Sequence, residues 1–201
     1  MIISALIFSS AILSLGQQAQ PVTCPVMGGP IAKGQAVTEY NGVRFTYCCA
    51  GCDTEFAKDP SGILEKSAKA GKTVGVSLFD PVSMKRVDAE KAKGGFSDYK
   101  GVRFYFESAD DKAAFDKEPK KYGVMPKKEA LFCPVMKNAV ASYAKASGYA
   151  DYDGVRYYFC CAGCDTKFAA EPAKFAEVAT EKVQKPATMP EKSEKGSGGG
   201  K

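Results

Sequence analysis

Residues 42–60 read GVRFTYCCAGCDTEFAKDP, and the pattern returns as GVRFYFESADDKAAFDKEP at residues 101–119 and as GVRYYFCCAGCDTKFAAEP at residues 154–172. The three stretches align without a gap. The first and third carry three cysteines each, whereas the second has Glu107, Ser108 and Asp111 at those positions. The comparison indicates a folding unit that occurs three times and a thiol chemistry that occurs twice.

A β-hairpin is predicted at the start of each stretch from the two residues that form its turn. These pairs are Asn41-Gly42, Lys100-Gly101 and Asp153-Gly154. Asn-Gly and Asp-Gly are preferred in type I′ turns, where both central residues take a positive φ. After the first turn, Val43, Phe45 and Tyr47 alternate with polar residues and therefore share one face of a strand. The aromatic side chains are expected to pack in the core rather than to stack on a ligand.

The second half of each stretch favours helix. The segments CCAGCDTEFAKD and CCAGCDTKFAAE are predicted to be helical, with Phe56 and Phe168 packed in the core. Proline follows an acidic residue at positions 60, 119 and 172, where it suits the first turn of a second helix. The predicted fold class is α+β, with three tandem small units in which a β-hairpin is followed by short helices.

The two ends of the chain are predicted to lie outside these units. The apolar run from Ile2 to Leu15 is shorter than the ~20 residues of a membrane-spanning helix and suits a secretory signal peptide at residues 1–20. The alternative interpretation of this run is an uncleaved anchor or a buried helix. Residues 183–201 are rich in Lys, Glu, Ser and Gly and are expected to form a disordered tail. Between them we define a first segment (residues 21–72), a middle segment (residues 76–126) and a third segment (residues 129–182).

The signal peptide predicts export, to the periplasm or the extracellular space, with no stable membrane insertion after cleavage. The net charge of +5 comes from lysines scattered among acidic residues, without the dense basic patch that nucleic-acid binding requires. Segments of about 50 residues are close to the size at which a hydrophobic core alone gives only marginal stability. Metal, disulfides or packing between segments must therefore add stability.

The chain contains no His. This excludes Cys/His and Ser/His/Asp catalytic arrangements and every zinc site that needs imidazole. No other nucleophile–base pair or convergent carboxylate pair stands outside the cysteines. We therefore expect a binding protein rather than an enzyme.

The cysteines form two sets of four, one in the first segment and one in the third. They are Cys24, Cys48, Cys49, Cys52, Cys133, Cys160, Cys161 and Cys164. Cys48, Cys49 and Cys52 stand where the strand gives way to the helix, and residues three or four apart share a helix face. A helix N-terminus lowers thiol pKa values and so favours the thiolate that a metal needs. With Cys24 or Cys133 brought back by the hairpin, each set would supply four sulfur ligands.

This combination resembles the YHS domain, a family related to the TRASH-type heavy-metal-binding domains. The shared features are the (D/C)PV opening, the aromatic-x-Gly hairpin, the aromatic residue before the cysteines, the Phe and the acidic-Pro pair. The resemblance covers residues 23 to about 180 as three tandem copies, the middle one lacking cysteines. It implies small treble-clef-like metal-binding modules of metal transport, sensing and resistance. It points directly to Cys48, Cys52, Cys160 and Cys164 as ligands.

The opening loop departs from the family pattern. Typical members read Asp-Pro-Val-Cys, with that cysteine as a ligand, whereas Met27 and Met136 stand in its place. Sulfur-only sites select soft or borderline ions such as Cu(I) and Zn(II). Four thiolates suit structural Zn2+, and three thiolates with a methionine as an additional thioether ligand suit Cu+. The other expectation for the two methionines is that they fill gaps in the core.

Two alternatives stay open at this stage. In an oxidising compartment, four cysteines per segment can instead make two disulfides, which would give a disulfide-stapled structural or interaction module without metal. In the middle segment, Asp80, Glu107, Asp110 and Asp111 could hold a hard ion, but helix N-termini favour acidic residues in any case. We expect the middle segment to be a spacer held by packing. A metal transporter or a metalloenzyme is the candidate protein partner.

Overall fold

The computed structural model describes residues 20–31 and 36–190. Apart from Gln20, the predicted signal peptide lies outside the described residues. The helices are α1 (Cys52–Lys58), α2 (Pro60–Lys69), α3 (Ala109–Lys117), α4 (Pro119–Tyr122), α5 (Cys164–Ala170) and α6 (Pro172–Val178). The strands are β1 (Val37–Tyr40), β2 (Val43–Thr46), β3 (Gly75–Ser77), β4 (Phe96–Tyr99), β5 (Val102–Tyr105), β6 (Lys128–Ala130), β7 (Phe132–Cys133), β8 (Asn138–Ala139), β9 (Gly148–Tyr152), β10 (Val155–Phe159) and β11 (Met189–Pro190). The structure is thus mixed α and β, as predicted.

Each segment contains an antiparallel hairpin: β1–β2, β4–β5 and β9–β10. In every turn, two successive residues have positive φ, and the first of them is Asn41 (54°), Lys100 (48°) or Asp153 (49°). The second is the glycine that follows each of them. This is the conformation of a type I′ turn, so the prediction from the turn sequences is confirmed.

One phenylalanine from the helix after each hairpin packs against that hairpin. The closest ring pairs are Phe45–Phe56 (centroids 4.5 Å apart), Phe104–Phe115 (5.1 Å) and Tyr157–Phe168 (5.2 Å). The three helix phenylalanines are buried, and each also contacts two further aromatic rings from its own hairpin region. The recurring aromatic residues therefore build the core, as the alternation predicted.

Two parallel strand pairs position the loops that follow them. β3 pairs parallel with β5 and leads to the loop at Asp80, and β6 pairs parallel with β10 and leads to the loop at Cys133. Parallel neighbours run in the same direction and finish at the same edge of the sheet. At that edge the hairpin gives way to the helix. Asp80 consequently lies beside Glu107, and Cys133 lies beside Cys160.

The segments pack on one another. A six-stranded sheet in the order β11-β1-β2-β3-β5-β4 joins the first and middle segments, and a three-stranded sheet, β6-β10-β9, belongs to the third. Phe79 of the middle segment packs into the core of the third, with its ring 5.5 Å from that of Tyr149 and 5.8 Å from that of Tyr158. A side-chain oxygen of Glu39 accepts a hydrogen bond from the Ala144 N–H at 3.1 Å, linking the first segment to the third. Packing between segments thus adds the stability that their small size requires.

The folded chain extends past the boundary predicted at residue 183. Gln184 exchanges two backbone hydrogen bonds with Glu129, of 2.9 and 2.8 Å, and β11 pairs antiparallel with β1. Residues 183–190 are therefore ordered by backbone pairing at strand edges, which needs no apolar side chains. Residues 191–201 lie outside the described residues. Within the described part of the chain, none of the helices has the length and apolar character needed to cross a bilayer.

Candidate metal centre

Three sulfur atoms converge in the first segment and three in the third. The two triads are Cys24, Cys48 and Cys52, and Cys133, Cys160 and Cys164. Within each triad the Sγ atoms all lie within 4.8 Å of one another. The loop cysteine and the helix cysteine are buried, and the one between them is half-buried. Because a zinc–sulfur bond is about 2.3 Å long, sulfur atoms spaced in this way can bind one common ion.

The loop cysteine of the first triad begins a tight turn of the backbone. The Cys24 carbonyl accepts a hydrogen bond from the Gly28 N–H at 2.8 Å, and the Cys24 N–H donates to the Gly29 carbonyl at 2.9 Å. Gly28 has a φ of 67°, which glycine adopts without the penalty that a Cβ brings. The same position has a positive φ in the other two segments, 59° at Met84 and 56° at Lys137. The loop conformation is therefore shared by all three segments.

Backbone N–H groups stabilise the Cys24 sulfur as an anion. Burial raises the pKa of Cys24, but the N–H groups of Met27, Cys48 and Val26 and the Cys48 thiol outweigh burial. The pKa of Cys24 is consequently below its usual value. Hydrogen bonds to a charged acceptor favour the charged form, so the loop selects a thiolate at this position.

The third segment repeats this arrangement at Cys133. Burial raises the pKa of Cys133, while the N–H groups of Cys160 and Met136 and the thiols of Cys160 and Cys164 lower it. The result is again a pKa below the usual value of a thiol. Two loops distant in sequence therefore both favour the thiolate form of their cysteine.

The remaining members of the triads have raised pKa values. The Cys48 thiol donates a hydrogen bond to Cys24, and this bond together with burial raises the pKa of Cys48 to about 11. In the third segment, burial together with the hydrogen bond to Cys133 raises the pKa of Cys160 to about 11. The pKa of Cys52 is raised well above its usual value by the hydrogen bond to Cys49 and by burial, and that of Cys164 is raised by burial first. Ligation requires thiolate, so these thiols release protons when a cation binds.

The helix of the outer segments begins later than predicted. α1 starts at Cys52 and α5 at Cys164, and the residue before each is a left-handed glycine, Gly51 (φ 85°) or Gly163 (φ 83°). The prediction that Cys48 shares a helix face with Cys52 is therefore wrong, because a left-handed residue separates them. A turn ahead of the helix, rather than helical spacing, brings the cysteines together.

The fourth cysteine of each set lies beside its triad. The Cys49 Sγ is 2.8 Å from that of Cys52 and 3.8 Å from that of Cys48, and Cys49 is exposed. In the third segment, the corresponding distances from Cys161 are 3.3 Å to Cys164 and 3.7 Å to Cys160. Of the four predicted ligands per segment, the structure thus gathers three around one point and leaves the fourth on the solvent side.

The two methionines of the loops lie on the surface. Met27 is 68% exposed and Met136 is 49% exposed. The expectation that they fill gaps in the core is therefore wrong, because each loop directs its methionine to solvent. As thioethers three residues after a loop cysteine, both remain candidates for additional ligands.

Comparison with protein-family models gives a match within the third segment. Residues 142–179 match the YHS domain. This YHS region runs through the third hairpin, α5 and α6, and it includes Cys160, Cys161 and Cys164. Cys133 precedes it in sequence and is brought to it by β6 and β7. No curated protein and no solved structure matches the chain.

The middle segment has an aspartate where the loop before the YHS region has a cysteine. Asp80 aligns with Cys133 and is fully buried. Its Oδ1 accepts hydrogen bonds from the N–H groups of Val82 at 2.8 Å and Ser83 at 3.3 Å, and its Oδ2 accepts from the Glu107 N–H at 2.8 Å. These three donors align with the three that surround Cys24. Burial nevertheless raises the pKa of Asp80. The same three backbone N–H groups, which we call the cradle, therefore surround a different ionisable group.

The other acidic residues of the middle segment do not gather as the thiols of the YHS region do. The Ser83 hydroxyl donates to Glu107 at 3.0 Å, and the Ser108 hydroxyl donates to Asp111 at 2.6 Å. Ser108 also accepts from the Asp111 N–H at 3.1 Å and caps α3, which begins at Ala109. Side chains of the segment itself thus occupy the oxygen atoms that a hard ion would need.

One buried carboxyl group next to the YHS region was not predicted. Glu129 on β6 is fully buried, and its Oε1 accepts a hydrogen bond from the Tyr143 hydroxyl at 2.5 Å. Burial raises the pKa of Glu129 to about 7, although Tyr143 and the charge of Arg156 oppose the rise. The aligned residue of the middle segment is Val76, which lies opposite Arg103 as Glu129 lies opposite Arg156. No local pattern marks Glu129, because its partners come from other parts of the chain.

Proposed function

We propose that this protein is an exported binding protein for soft metal ions, with one centre at Cys24, Cys48 and Cys52 and a second at Cys133, Cys160 and Cys164. The observation that carries the proposal is the convergence of three sulfur atoms within 4.8 Å at both places. The match of residues 142–179 to the YHS domain supports it. Its role would be in metal handling or resistance, without catalysis.

The cradle around the loop cysteine favours metal over disulfides. N–H groups that converge on Cys24 stabilise a negative charge, and a thiolate carries that charge whereas a disulfide sulfur is neutral. Asp80 shows that the same three positions take an ionisable side chain when cysteine is absent. A position that accepts a carboxylate or a thiolate is suited to an anionic ligand.

The donor set favours a soft or borderline ion. The triads offer sulfur, and the chain has no His to supply imidazole. Such sites select Cu+ or Zn2+ among the common ions. Three thiolates suit Cu+, and a fourth ligand from a loop methionine would complete a site for Zn2+.

The repeated geometry supports a proposal for the architecture as well. We infer that the three segments are copies of one small treble-clef-like unit of the YHS type, of which the middle copy is a spacer. Each copy has the same hairpin turn, the same helix phenylalanine and the same cradle at its loop. A metal transporter or a metalloenzyme in the same compartment would be the protein partner.

Elemental analysis combined with free-thiol counting tests this function. We expect up to two equivalents of Zn or Cu in protein purified without chelator, and thiols that react only after the metal is displaced. The alternative is a disulfide-stapled module, which predicts disulfides by mass spectrometry and a stability that chelators leave unchanged. Absence of metal together with absence of free thiols in the native protein would refute the proposal.

A further inference from the structure

Exposure changes in steps across each cysteine set. In the first segment, Cys24 is 0% exposed and Cys52 is 4% exposed, Cys48 is half-buried and Cys49 is exposed. The Cys49 sulfur contacts Cys52 at 2.8 Å and Cys48 at 3.8 Å, so it touches the buried and the outer ligand of the triad. Cys161 repeats this arrangement in the third segment. Both sets thus contain an exposed thiol that contacts two ligands of the triad. The triad alone does not explain why this thiol is present in both.

The position of Cys49 does not fit a fourth corner of the site. Around a tetrahedral ion with bonds of about 2.3 Å, all four sulfur atoms would stand about 3.8 Å apart. The set whose sulfur atoms all lie within 4.8 Å of one another contains Cys24, Cys48 and Cys52 and does not include Cys49. Cys49 lies instead on the outer side of Cys52.

We propose that Cys49 and Cys161 are exchange thiols, which replace the buried helix cysteine as a ligand and so pass the ion between the triad and a thiol-bearing acceptor outside. The inference rests on the proposed function of the triads. In this role, the fourth cysteine of each set increases the rate at which the ion is transferred and does not change the affinity of the triad for the ion. The acceptor is identified only by its chemistry, a soft sulfur ligand of a small thiol or of a partner protein.

The exchange is a ligand substitution without a change in oxidation state. The Cys49 thiol loses its proton to solvent as its sulfur bonds to the ion. The bond from the ion to Cys52 breaks, and the Cys52 sulfur takes up a proton. The ion is then bound by Cys24, Cys48 and Cys49, of which Cys49 is exposed, and an acceptor can form its first bond before the bond to Cys24 is lost.

Such a role has a kinetic signature. A group that binds the ion only in the intermediate lowers the barrier in both directions and leaves the two end states unchanged. Loss of the thiol must therefore slow loading and release by the same factor. A permanent ligand behaves differently, because its loss weakens the bound state itself.

The test uses the full chain, reduced and loaded with Zn2+. Release into an excess of a chromophoric zinc chelator is followed by stopped-flow absorbance, and affinity is measured by equilibrium competition with the same chelator. The double variant Cys49→Ser/Cys161→Ser is compared with Ala50→Ser/Ala162→Ser, which alters exposed neighbours that carry no thiol. We expect the cysteine variant to load and release zinc about tenfold more slowly or slower still, with an affinity within about threefold of the wild type.

Three results would overturn the inference. Release at the wild-type rate removes the exchange role and leaves the metal sites standing. An affinity lowered by tenfold or more makes Cys49 and Cys161 resident ligands and likewise leaves the proposed function intact. If the wild-type protein holds neither Zn2+ nor, in a parallel experiment, Cu+, the proposed function fails and the exchange role fails with it.

Discussion

The first and middle segments share a hairpin, a helix phenylalanine and a loop, yet they place different anions in the same cradle. Cys24 and Asp80 each accept hydrogen bonds from three aligned backbone N–H groups. Around Cys24, two further thiols converge on the loop sulfur. Around Asp80, the neighbouring polar side chains pair with one another instead. The fold therefore accommodates an ionisable side chain at the loop in both segments, whereas the proposed metal binding requires additional soft donors that converge on it.

The largest effect is expected from removing one sulfur of a triad. Cys52→Ser should lower the bound metal by one equivalent and destabilise the first segment while the third stays folded. Structural zinc contributes apparent binding free energies on the order of 10–16 kcal/mol, far above the ~1 kcal/mol of an ordinary substitution. Elemental analysis and proteolysis of the two segments measure these effects.

The middle segment supplies the matched control for that experiment. Asp111 aligns with Cys52, so Asp111→Ser makes the corresponding change in a segment without thiols. We expect its metal content to equal that of the wild type. Full metal content in Cys52→Ser, or a loss of metal in Asp111→Ser, would contradict the proposal that only the first of these two segments binds metal.

The next effect concerns the anion in the cradle of the middle segment. Asp80→Asn should lower the free energy of unfolding by about 3 kcal/mol, because the amide replaces a charged acceptor by a neutral one and turns an N–H2 group toward N–H donors. Glu107→Gln changes an exposed carboxylate and should stay within about 0.5 kcal/mol of the wild type. Denaturant unfolding compares the two.

A third variant tests whether the negative charge at position 80 is responsible for the difference in stability. Asp80→Cys places in the middle cradle the anion that the other two loops contain, and it should regain part of the stability that Asp80→Asn loses. Equal stability of the Cys and Asn variants would show that charge at this position is unimportant. The cradle would then not be selective for an anion in the outer segments either.

A pH-dependent effect of comparable size separates the third segment from the middle one at Glu129. Burial raises the pKa of Glu129 to about 7, above the ~4.3 of an unfolded glutamate. The folded protein therefore retains a proton that the unfolded chain releases, and this contribution to stability is present in full below about pH 4.3 and lost as the pH rises through about 7. The loss amounts to about 3–4 kcal/mol.

Glu129→Gln should remove that pH dependence and leave the contributions of other groups in place. The difference in unfolding free energy between wild type and variant, followed from pH 4 to 8, isolates the carboxyl group. Glu129→Val installs the residue of the middle segment and tests whether a carboxyl group is needed opposite Arg156 at all. A difference that stays constant with pH would show that the folded-state pKa of Glu129 is ordinary.

The sequence predicts what is local and repeated. Asn41-Gly42 predicted its turn, and the alternation after it predicted the aromatic core around Phe56. It did not predict where α1 begins, because helical spacing between Cys48 and Cys52 looked sufficient and the left-handed Gly51 carries no pattern of its own. Nor could it predict Glu129, whose environment is made by Tyr143 and by residues that only the tertiary fold brings near.

The smallest effect concerns the start of the helix, where the segments also differ. Ser108 caps α3 by accepting a hydrogen bond from the Asp111 N–H, whereas α1 begins after Gly51 without a side-chain cap. Ser108→Ala should therefore cost about 1 kcal/mol of stability, and Ser108→Asp, which keeps an acceptor for the same N–H, should cost less. Both are measured from denaturant midpoints with the metal content held constant. Cys49 of the first segment aligns with Ser108. If only the alanine variant loses stability, the middle segment uses this position to cap its helix, whereas the outer segments present a thiol there.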